Sequence, residues 1–246
     1  MPNEWFRFRH FTIHQDKCAM KVGTDSVLLA SWTPLEGHER KIADLGTGTG
    51  ILALIMAQRS DAAITAFESD KDAATQASEN FASSPWQRRL ECHQKLIQQV
   101  EGADFDLCIF NPPFFTRQLS SPQPTRNQAR HMGNQHAGEW FQACQRLLNE
   151  HGKLSFIIPV QEEAIWVAAA SQAGFYPHSK TLVAGSPGRP NVRVLYWMGR
   201  TALPLIHQSS IVLQSVQRGE YSAEFEKLVR EIYPESHFAK NSKPID

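Results

Sequence analysis

The chain has 246 residues, 41% of them hydrophobic and 20% charged, with 14 glycines and 14 prolines. That length buries one full core, and the composition excludes collagen-like, disordered and small disulfide-stapled classes. Its 25 basic and 25 acidic side chains cancel to a formal charge of zero, so bulk charge alone does not make it a nucleic-acid binder.

In chain order, WFRFRHFTI near the N-terminus alternates as a hairpin strand does, and Thr24 or Asp25 is placed to cap a helix through Trp32. From residue 42 onward short apolar runs alternate with helical patterns. KIADL predicts a strand, Ile51 to Gln58 a helix with Ile51, Leu54 and Ile55 on one face, and AAITAFE a second strand. A helix over Lys71 to Ala82, a strand at LECH and a strong strand FDLCIF at 105–110 follow. Trp140, Phe141, Cys144, Leu147 and Leu148 recur at helical spacing, predicting a helix over Ala137 to Asn149 that His151 and Gly152 close before the buried strand KLSFIIP. A helix over Gln161 to Ala173, ended by Gly174, precedes strands at FYPHSKTLV and RVLYWMG.

Strands joined by crossover helices imply a doubly wound α/β fold with helices on both faces of a mostly parallel sheet, and ligands at the strands' carboxyl ends. One domain is expected over 1–246: an N-terminal extension at 1–31 on the cofactor side, a core at 32–200, and a C-terminal strand and helix at 201–246.

ILALIMA at 51–57 is the longest apolar stretch, far short of the roughly 20 residues of a membrane-crossing helix. Glu4, Arg7, Arg9 and His10 interrupt the N-terminus where a secretory leader is apolar, so a cytoplasmic location without membrane attachment is expected. Four cysteines stand without a CxxC pair, which suits reduced thiols. His10, His14 and Cys18 are four apart, but Thr12 and Ile13 favour a strand there and no fourth ligand is evident, so no metal is expected.

Charge is unevenly placed. Leu107 to Gly138 holds no acid and three arginines, Arg117, Arg126 and Arg130; Ala164 to Gly219 holds no acid and carries Lys180, Arg189, Arg193, Arg200 and Arg218. The two segments can converge into one patch facing RNA phosphates or find acidic partners across the fold. His131 and His136 lie in the first of them, where a histidine more often meets phosphate or solvent than acts as a general base.

Asp44-Leu45-Gly46-Thr47-Gly48-Thr49-Gly50 leaves the first core strand and enters a helix, where glycines let the backbone approach a ligand closely. Its GxGxG spacing puts Ile51 where a dinucleotide fingerprint needs glycine, which disfavours hydride chemistry. Glu68 ends the second core strand 18 residues (68 − 50) past Gly50, near the offset of an acid that holds a ribose, so an adenosine-bearing cofactor is indicated. Asn111-Pro112-Pro113-Phe114 follows FDLCIF, at the same sheet edge. The exocyclic amine of adenine is a poor nucleophile whose two N–H groups need acceptors: Asn111 offers its side-chain carbonyl and Pro112 a backbone carbonyl, while Phe114 can stack on an unstacked base.

Together DLGTGTG, Glu68 and NPPF resemble the Rossmann-like class I methyltransferases, which use S-adenosyl-L-methionine to modify amino groups of nucleobases or glutamine. With FRFRHFTIHQDKCAMKVGTDSVLLASW, the SPW at 84–86 and the arginines after NPPF, the chain is similar over nearly its whole length to the tRNA1(Val) (adenine(37)-N6)-methyltransferase family. The resemblance implies a seven-stranded, mostly parallel central sheet and methylation of adenine N6 in a tRNA partner. It assigns Lys21, Gly23, Thr24 and Asp25 to an N-terminal cofactor segment, Asp44, Gly46, Gly48 and Gly50 to the methionine end and Glu68 to the ribose. Asn111, Pro112 and Phe114 fall to the reacting base, and Arg117, Arg126, Arg130 and Arg189 to RNA. The family's acid after the third core strand has no counterpart in HQKLIQQ, where Lys95 and Leu96 stand. Guanine N2 in ribosomal RNA, glutamine in a protein, and an RNA-binding module without catalysis are the rival readings; a monomer is slightly favoured.

Overall fold

The computed structural model describes residues 4–18, 21–102, 104–113, 126–204, 206–217 and 219–239, with the backbone alone for 126–135. Alternating aromatic and polar residues make an N-terminal antiparallel pair, β1 (Trp5–Arg7) and β2 (Thr12–His14), with Phe6 opposite Ile13. At its turn Phe8 stacks on Phe11 with ring centroids 4.7 Å apart, and on Tyr233 at 5.7 Å. The chain's two ends thus share a core cluster.

Helix α1 (Thr24–Trp32) begins one residue after Gly23, which takes the N-cap position with no side-chain cap bond. The expected cap from Thr24 or Asp25 is therefore corrected: both lie inside the first turn, and the Asp25 carboxylate instead pairs with Arg193. Then come β3 (Lys41–Leu45), α2 (Ile51–Arg59), β4 (Ala63–Glu68), α3 (Lys71–Ala82), β5 (Leu90–Gln94) and β6 (Phe105–Phe110). The second half holds α4 (Arg126–Leu147), β7 (Leu148–Pro159), α5 (Glu163–Gln172), β8 (Tyr176–Ala184), β9 (Asn191–Gly199), β10 (His207–Val212), α6 (Ala223–Val229) and α7 (Glu235–Ala239).

The sheet order is β10-β8-β9-β7-β6-β3-β4-β5, and β9 alone runs against the others. Successive side chains of a strand point to opposite faces. Ile42, Leu107, Ile109 and Ile157 accordingly join the core under α1, α2 and α6, while Ala43, Cys108, Phe110 and Phe156 join the core under α4 and α5. Helix α2 is buried from Ile51 to Ala57, which explains a segment apolar on nearly every side.

The α/β architecture matches the expectation, with eight strands in the main sheet where seven were expected. The eighth is β10, the strand expected within 201–246, which adds parallel to β8 through a Thr181 Oγ1 to Ser209 Oγ contact of 2.7 Å and a buried Ile211; its exposed HQSS carries no apolar alternation that would locate it. Helix α4 begins eleven residues before the start expected at Ala137, and β7 follows it directly at Leu148. Gly152 does not close that helix: it lies within β7, where a Cβ would come 2.8 Å from Leu148 Cδ2 and 3.0 Å from the Phe105 carbonyl. Past β10 the described residues form two short helices rather than one. No described helix is long and apolar enough to cross a membrane, and the described residues hold no cluster of metal-ligating side chains.

Candidate active site

The chain leaves β3 for β4 and β5 on one side, then returns to β6 on the other, so the crevice opens where β3 and β6 end. Leu45 pairs with Phe110 in register, which sets Gly46 and Asn111 side by side as the first residues beyond the strands. A cavity of about 370 Å³ opens there, within the size range of small-molecule sites.

The glycine loop forms its floor. Gly46 and Thr47 donate their N–H groups to the Phe67 carbonyl at 2.8 and 3.1 Å, tying the loop to β4. Gly48 has φ +56° and open space where a Cβ would stand, on the cavity side. Gly50 is off the cavity: it caps α2 at φ +87°, with Phe81 Cε1 2.5 Å from a would-be Cβ. Asp44 lies beneath the loop, fully buried, and its Oδ2 accepts from Thr47 Oγ1 at 2.5 Å and Ala53 N at 3.1 Å. Burial pushes its carboxyl up to about 7, the Thr47 and Ala53 hydrogen bonds opposing and the Glu68 charge adding.

Glu68 lines the acidic wall with Ser69 and Asp70. Its Oε2 accepts the Gly48 N–H at 2.9 Å and its Oε1 the Asp70 N–H at 3.0 Å, which fixes the carboxylate and leaves lone pairs for further donors. Leu96 and Ile97, in the neighbourhood that lacks the family acid, supply an apolar wall. From the N-terminal segment, Cys18, Lys21, Val22 and Ser26 reach the cavity, whereas Gly23, Thr24 and Asp25 do not line it. The Lys21 ammonium donates to the Gln15 carbonyl, and Gln15 Oε1 accepts the Val22 N–H at 2.8 Å.

Asn111 lines the cavity. Its Nδ2 donates to Ser26 Oγ at 3.0 Å, while its Oδ1 is buried with no donor among the described residues. An acceptor stranded in this way costs about 1–3 kcal/mol unless a ligand satisfies it. Pro112 is buried off the wall, and Pro113 lines it. The Pro113 carbonyl accepts from the ring of His136, whose imidazole burial pushes below its usual range while Glu139, that hydrogen bond and Glu162 pull it up. His136 also meets Trp140 and Trp166 edge-on, at 6.1 Å each.

Arg189 is exposed in the β8–β9 connection, at the same sheet edge as the cavity. Phe114 and Arg117 lie outside the described residues, as do the side chains of Arg126 and Arg130, whose backbone is the start of α4. Sequence reasoning missed two contributors, Ser26 and Asn80, and misplaced a third: His136, expected to meet phosphate or solvent, is half-buried against the Pro113 carbonyl and two tryptophan rings. Ser26 carried no signal. Asn80 was visible as a polar residue on the buried side of α3; its Oδ1 accepts the His14 N–H, and its Nδ2 donates to the His14 and Thr49 carbonyls, all at 2.9 Å.

Residues 17–164 match the family model of the methyltransferase small domain. The chain is 40% identical over 237 residues, 95% of its length and 99% of the relative's, to a Bacteroides fragilis protein named tRNA1(Val) (adenine(37)-N6)-methyltransferase. Proteins of that name from Tolumonas auensis and Flavobacterium johnsoniae are also 40% identical, over 95% and 93% of this chain and 98% of each relative. Among solved structures, a predicted O-methyltransferase from Agrobacterium tumefaciens superposes with a TM-score of 0.66 at 21% identity, over 85% of this chain and 96% of its own. Geranyl diphosphate C-methyltransferase from Streptomyces coelicolor, in complex with S-adenosyl-L-homocysteine, gives 0.52 at 10% identity, over 72% of this chain and 78% of its own. These two structures share the fold; near-full-length identity carries the rest, and the chain belongs to the tRNA1(Val) (adenine(37)-N6)-methyltransferase family.

Proposed function

We propose that this enzyme transfers a methyl group from S-adenosyl-L-methionine to N6 of an adenine in tRNA, the adenine at position 37 of tRNA1(Val) that its relatives' names specify. The observation that carries the reading is Asn111 on the wall of a cavity floored by the glycine loop, with its Oδ1 left without a donor among the described residues.

The wall suits the donor. Glu68 is braced by two backbone N–H groups and has lone pairs left for the ribose hydroxyls, Leu96 and Ile97 can flank the adenine, and the missing Cβ at Gly48 leaves room for the methionine end. When bound, S-adenosyl-L-methionine supplies a methyl already activated on its sulfonium. The chain's own part is positioning. Asn111 Oδ1 accepts one N6–H of the substrate, and the Pro112 carbonyl the other, since the Pro113 carbonyl already holds His136. Both acceptors turn the nitrogen toward the methyl and take up the positive charge that develops on it. The surplus N6 proton then passes to water.

Phe114 is assigned to stack on the base, and Arg117, Arg126, Arg130 and Arg189 to the phosphates, on sequence position. An anticodon-loop base unstacks at little cost, which suits such a site, and a tRNA substrate makes the cytoplasm the place of work. The test is incubation with methyl-labelled donor and unmodified total tRNA, followed by nucleoside mapping. N6-methyladenosine beside the anticodon is expected, with Asn111→Ala lowering transfer about 100-fold or more while donor binding persists. Label in N2 of guanine or in a protein glutamine, or wild-type turnover by Asn111→Ala, overturns the reading.

A further inference from the structure

Two prolines in a row cannot be tied to a fold through their own N–H groups, because they have none. Whatever holds the Asn111–Pro113 corner must therefore reach its carbonyls or Asn111 itself. The same prolines make the corner stiff: each fixes its own φ, and each confines the ψ of the residue before it, Asn111 and Pro112. At its near end the corner leaves β6, where Phe110 is in register with Leu45 and Phe156. At its far end the ring of His136 meets the Pro113 carbonyl, and chemistry settles the direction of that hydrogen bond: a carbonyl only accepts, so the ring nitrogen facing it carries the proton. A hold on the Pro113 carbonyl is transmitted back to Asn111 with little slack.

We propose that His136 is a positioning residue: its ring N–H holds the Pro113 carbonyl and so fixes the Asn111–Pro113 corner in its place relative to the glycine loop. The inference rests on the reading that this corner receives the substrate amine. His136 is itself gripped by two buried rings, Trp140 and Trp166, which meet it edge-on at 6.1 Å each, and Trp166 Nε1 donates to Glu162 Oε2 at 3.2 Å. Trp140 stands four residues on, and so on the same face of α4. It packs on the other half of the site, since a Cβ at Gly46 would come 2.8 Å from Trp140 Cη2. One turn of α4 therefore touches the glycine loop through Trp140 and the corner through His136, and both residues line the cavity. Methyl transfer needs the sulfonium and the nitrogen in line and close to contact, and a misplacement of about 1 Å costs on the order of 100-fold. In this role His136 acts through the corner and exchanges no proton with the substrate.

The test is a set of variants, His136→Phe, His136→Asn, His136→Gln and His136→Ala. Each is assayed for kcat and KM with labelled S-adenosyl-L-methionine and tRNA, and for donor binding by calorimetry. His136→Phe keeps a ring between the tryptophans but has no N–H. Loss of one anchoring hydrogen bond predicts that it lowers kcat about ten-fold with donor affinity near wild type. His136→Asn sets its amide nitrogen near the place of Nδ1 and His136→Gln near that of Nε2, so one of the two recovers most of kcat. His136→Ala leaves a ring-sized hole beside the cavity, which added imidazole can fill. At about pH 9 imidazole and 1-methylimidazole are both neutral bases, but only imidazole has an N–H to give, so only imidazole restores turnover.

Wild-type kcat in His136→Phe overturns the proposal, because the ring then serves by packing alone. Equal rescue of His136→Ala by the two bases overturns it too, because the site then needs a proton acceptor or a filled hole rather than a donor. So does weakened donor binding with intact kcat, because His136 then serves the donor. No recovery by His136→Asn, His136→Gln or imidazole, in variants that melt like wild type, rejects the hydrogen bond as the cause. Wild-type turnover by Asn111→Ala removes the function assigned to the corner, whereas an inactive Asn111→Ala beside a fully active His136→Phe removes only the role of His136.

Discussion

At the scale of single residues, Asp44 shows how a motif acid can serve a ligand without touching it. It lies beneath the glycine loop rather than on the cavity wall, and one oxygen gathers the Thr47 hydroxyl and the Ala53 N–H, so the turn into α2 closes over a fixed carboxyl. Its other oxygen is buried with no partner among the described residues, and burial pushes the group up to about 7. In the unfolded chain the same carboxyl titrates near 4. The folded protein therefore holds the proton more tightly, and the stability tied to that proton is fully present below about pH 4 and lost as pH rises through about 7. Asn at this position cannot titrate. Thermal unfolding from pH 4 to pH 8 should show Asp44→Asn gaining on wild type as pH rises, with most of the gain between pH 4 and 7. Parallel melting curves across that window would place the Asp44 proton elsewhere.

Among the elements, the N-terminal hairpin, α3 and the glycine loop are joined by one buried amide. Asn80 is 1% exposed and uses both ends of its side chain: it accepts from the His14 N–H and donates to the His14 and Thr49 carbonyls. The adjacent turn of α3 adds Gln76 Oε1, which accepts the Lys17 N–H at 3.0 Å, and Glu79, which pairs with the Lys17 ammonium at 2.6 Å. Cys18 and Lys21 are thereby carried to the cavity from a segment with little regular structure of its own. Asn80→Ala strands the buried Thr49 carbonyl and two part-buried His14 backbone groups, so it should cost about 2 kcal/mol in urea unfolding and speed hydrogen exchange at the His14 amide. A loss below about 1 kcal/mol would mean that water replaces the amide and the hairpin holds on by its apolar contacts alone.

Elements of this kind also show which features the sequence carries openly. Strands such as FDLCIF and helices such as Ile51–Arg59 were legible because burial on one or both faces writes an apolar period into the chain. The first eleven residues of α4 and the polar half of β10 were not, because the period is absent there. Gly152 misled because a glycine that clears space between strands looks the same in sequence as one that ends a helix. At the site, the glycine loop, Glu68 and Asn111 follow strands and are found by position. Ser26 meets a partner 85 residues away, and a contact of that range leaves no local pattern; Asn80 shows as a polar residue on a buried helix face, but its partner 66 residues away does not.

For the whole molecule, the net charge of zero conceals an arrangement by edge. Lys41, at the amino end of β3 and so at the edge remote from the cavity, is paired with Asp104 at 2.8 Å. At the carboxyl edge, Arg193 is committed to Asp25, while Arg189 stands exposed in the β8–β9 connection. A polyanion long enough to span this edge from the cavity to the β8–β9 connection would meet Arg189, and each phosphate neutralised by such a side chain releases condensed counterions. If tRNA crosses this edge, binding isotherms across a salt series should give Arg189→Ala a slope of log K against log salt shallower by about 0.7–0.9, with weaker binding to tRNA of any sequence. Lys41→Ala, at the opposite edge and already paired, should leave the slope unchanged. An identical slope for Arg189→Ala and wild type would route the phosphate backbone away from the β8–β9 connection, and an effect of the same size from Lys41→Ala would show attraction by the summed charge of the molecule rather than contact at the catalytic edge.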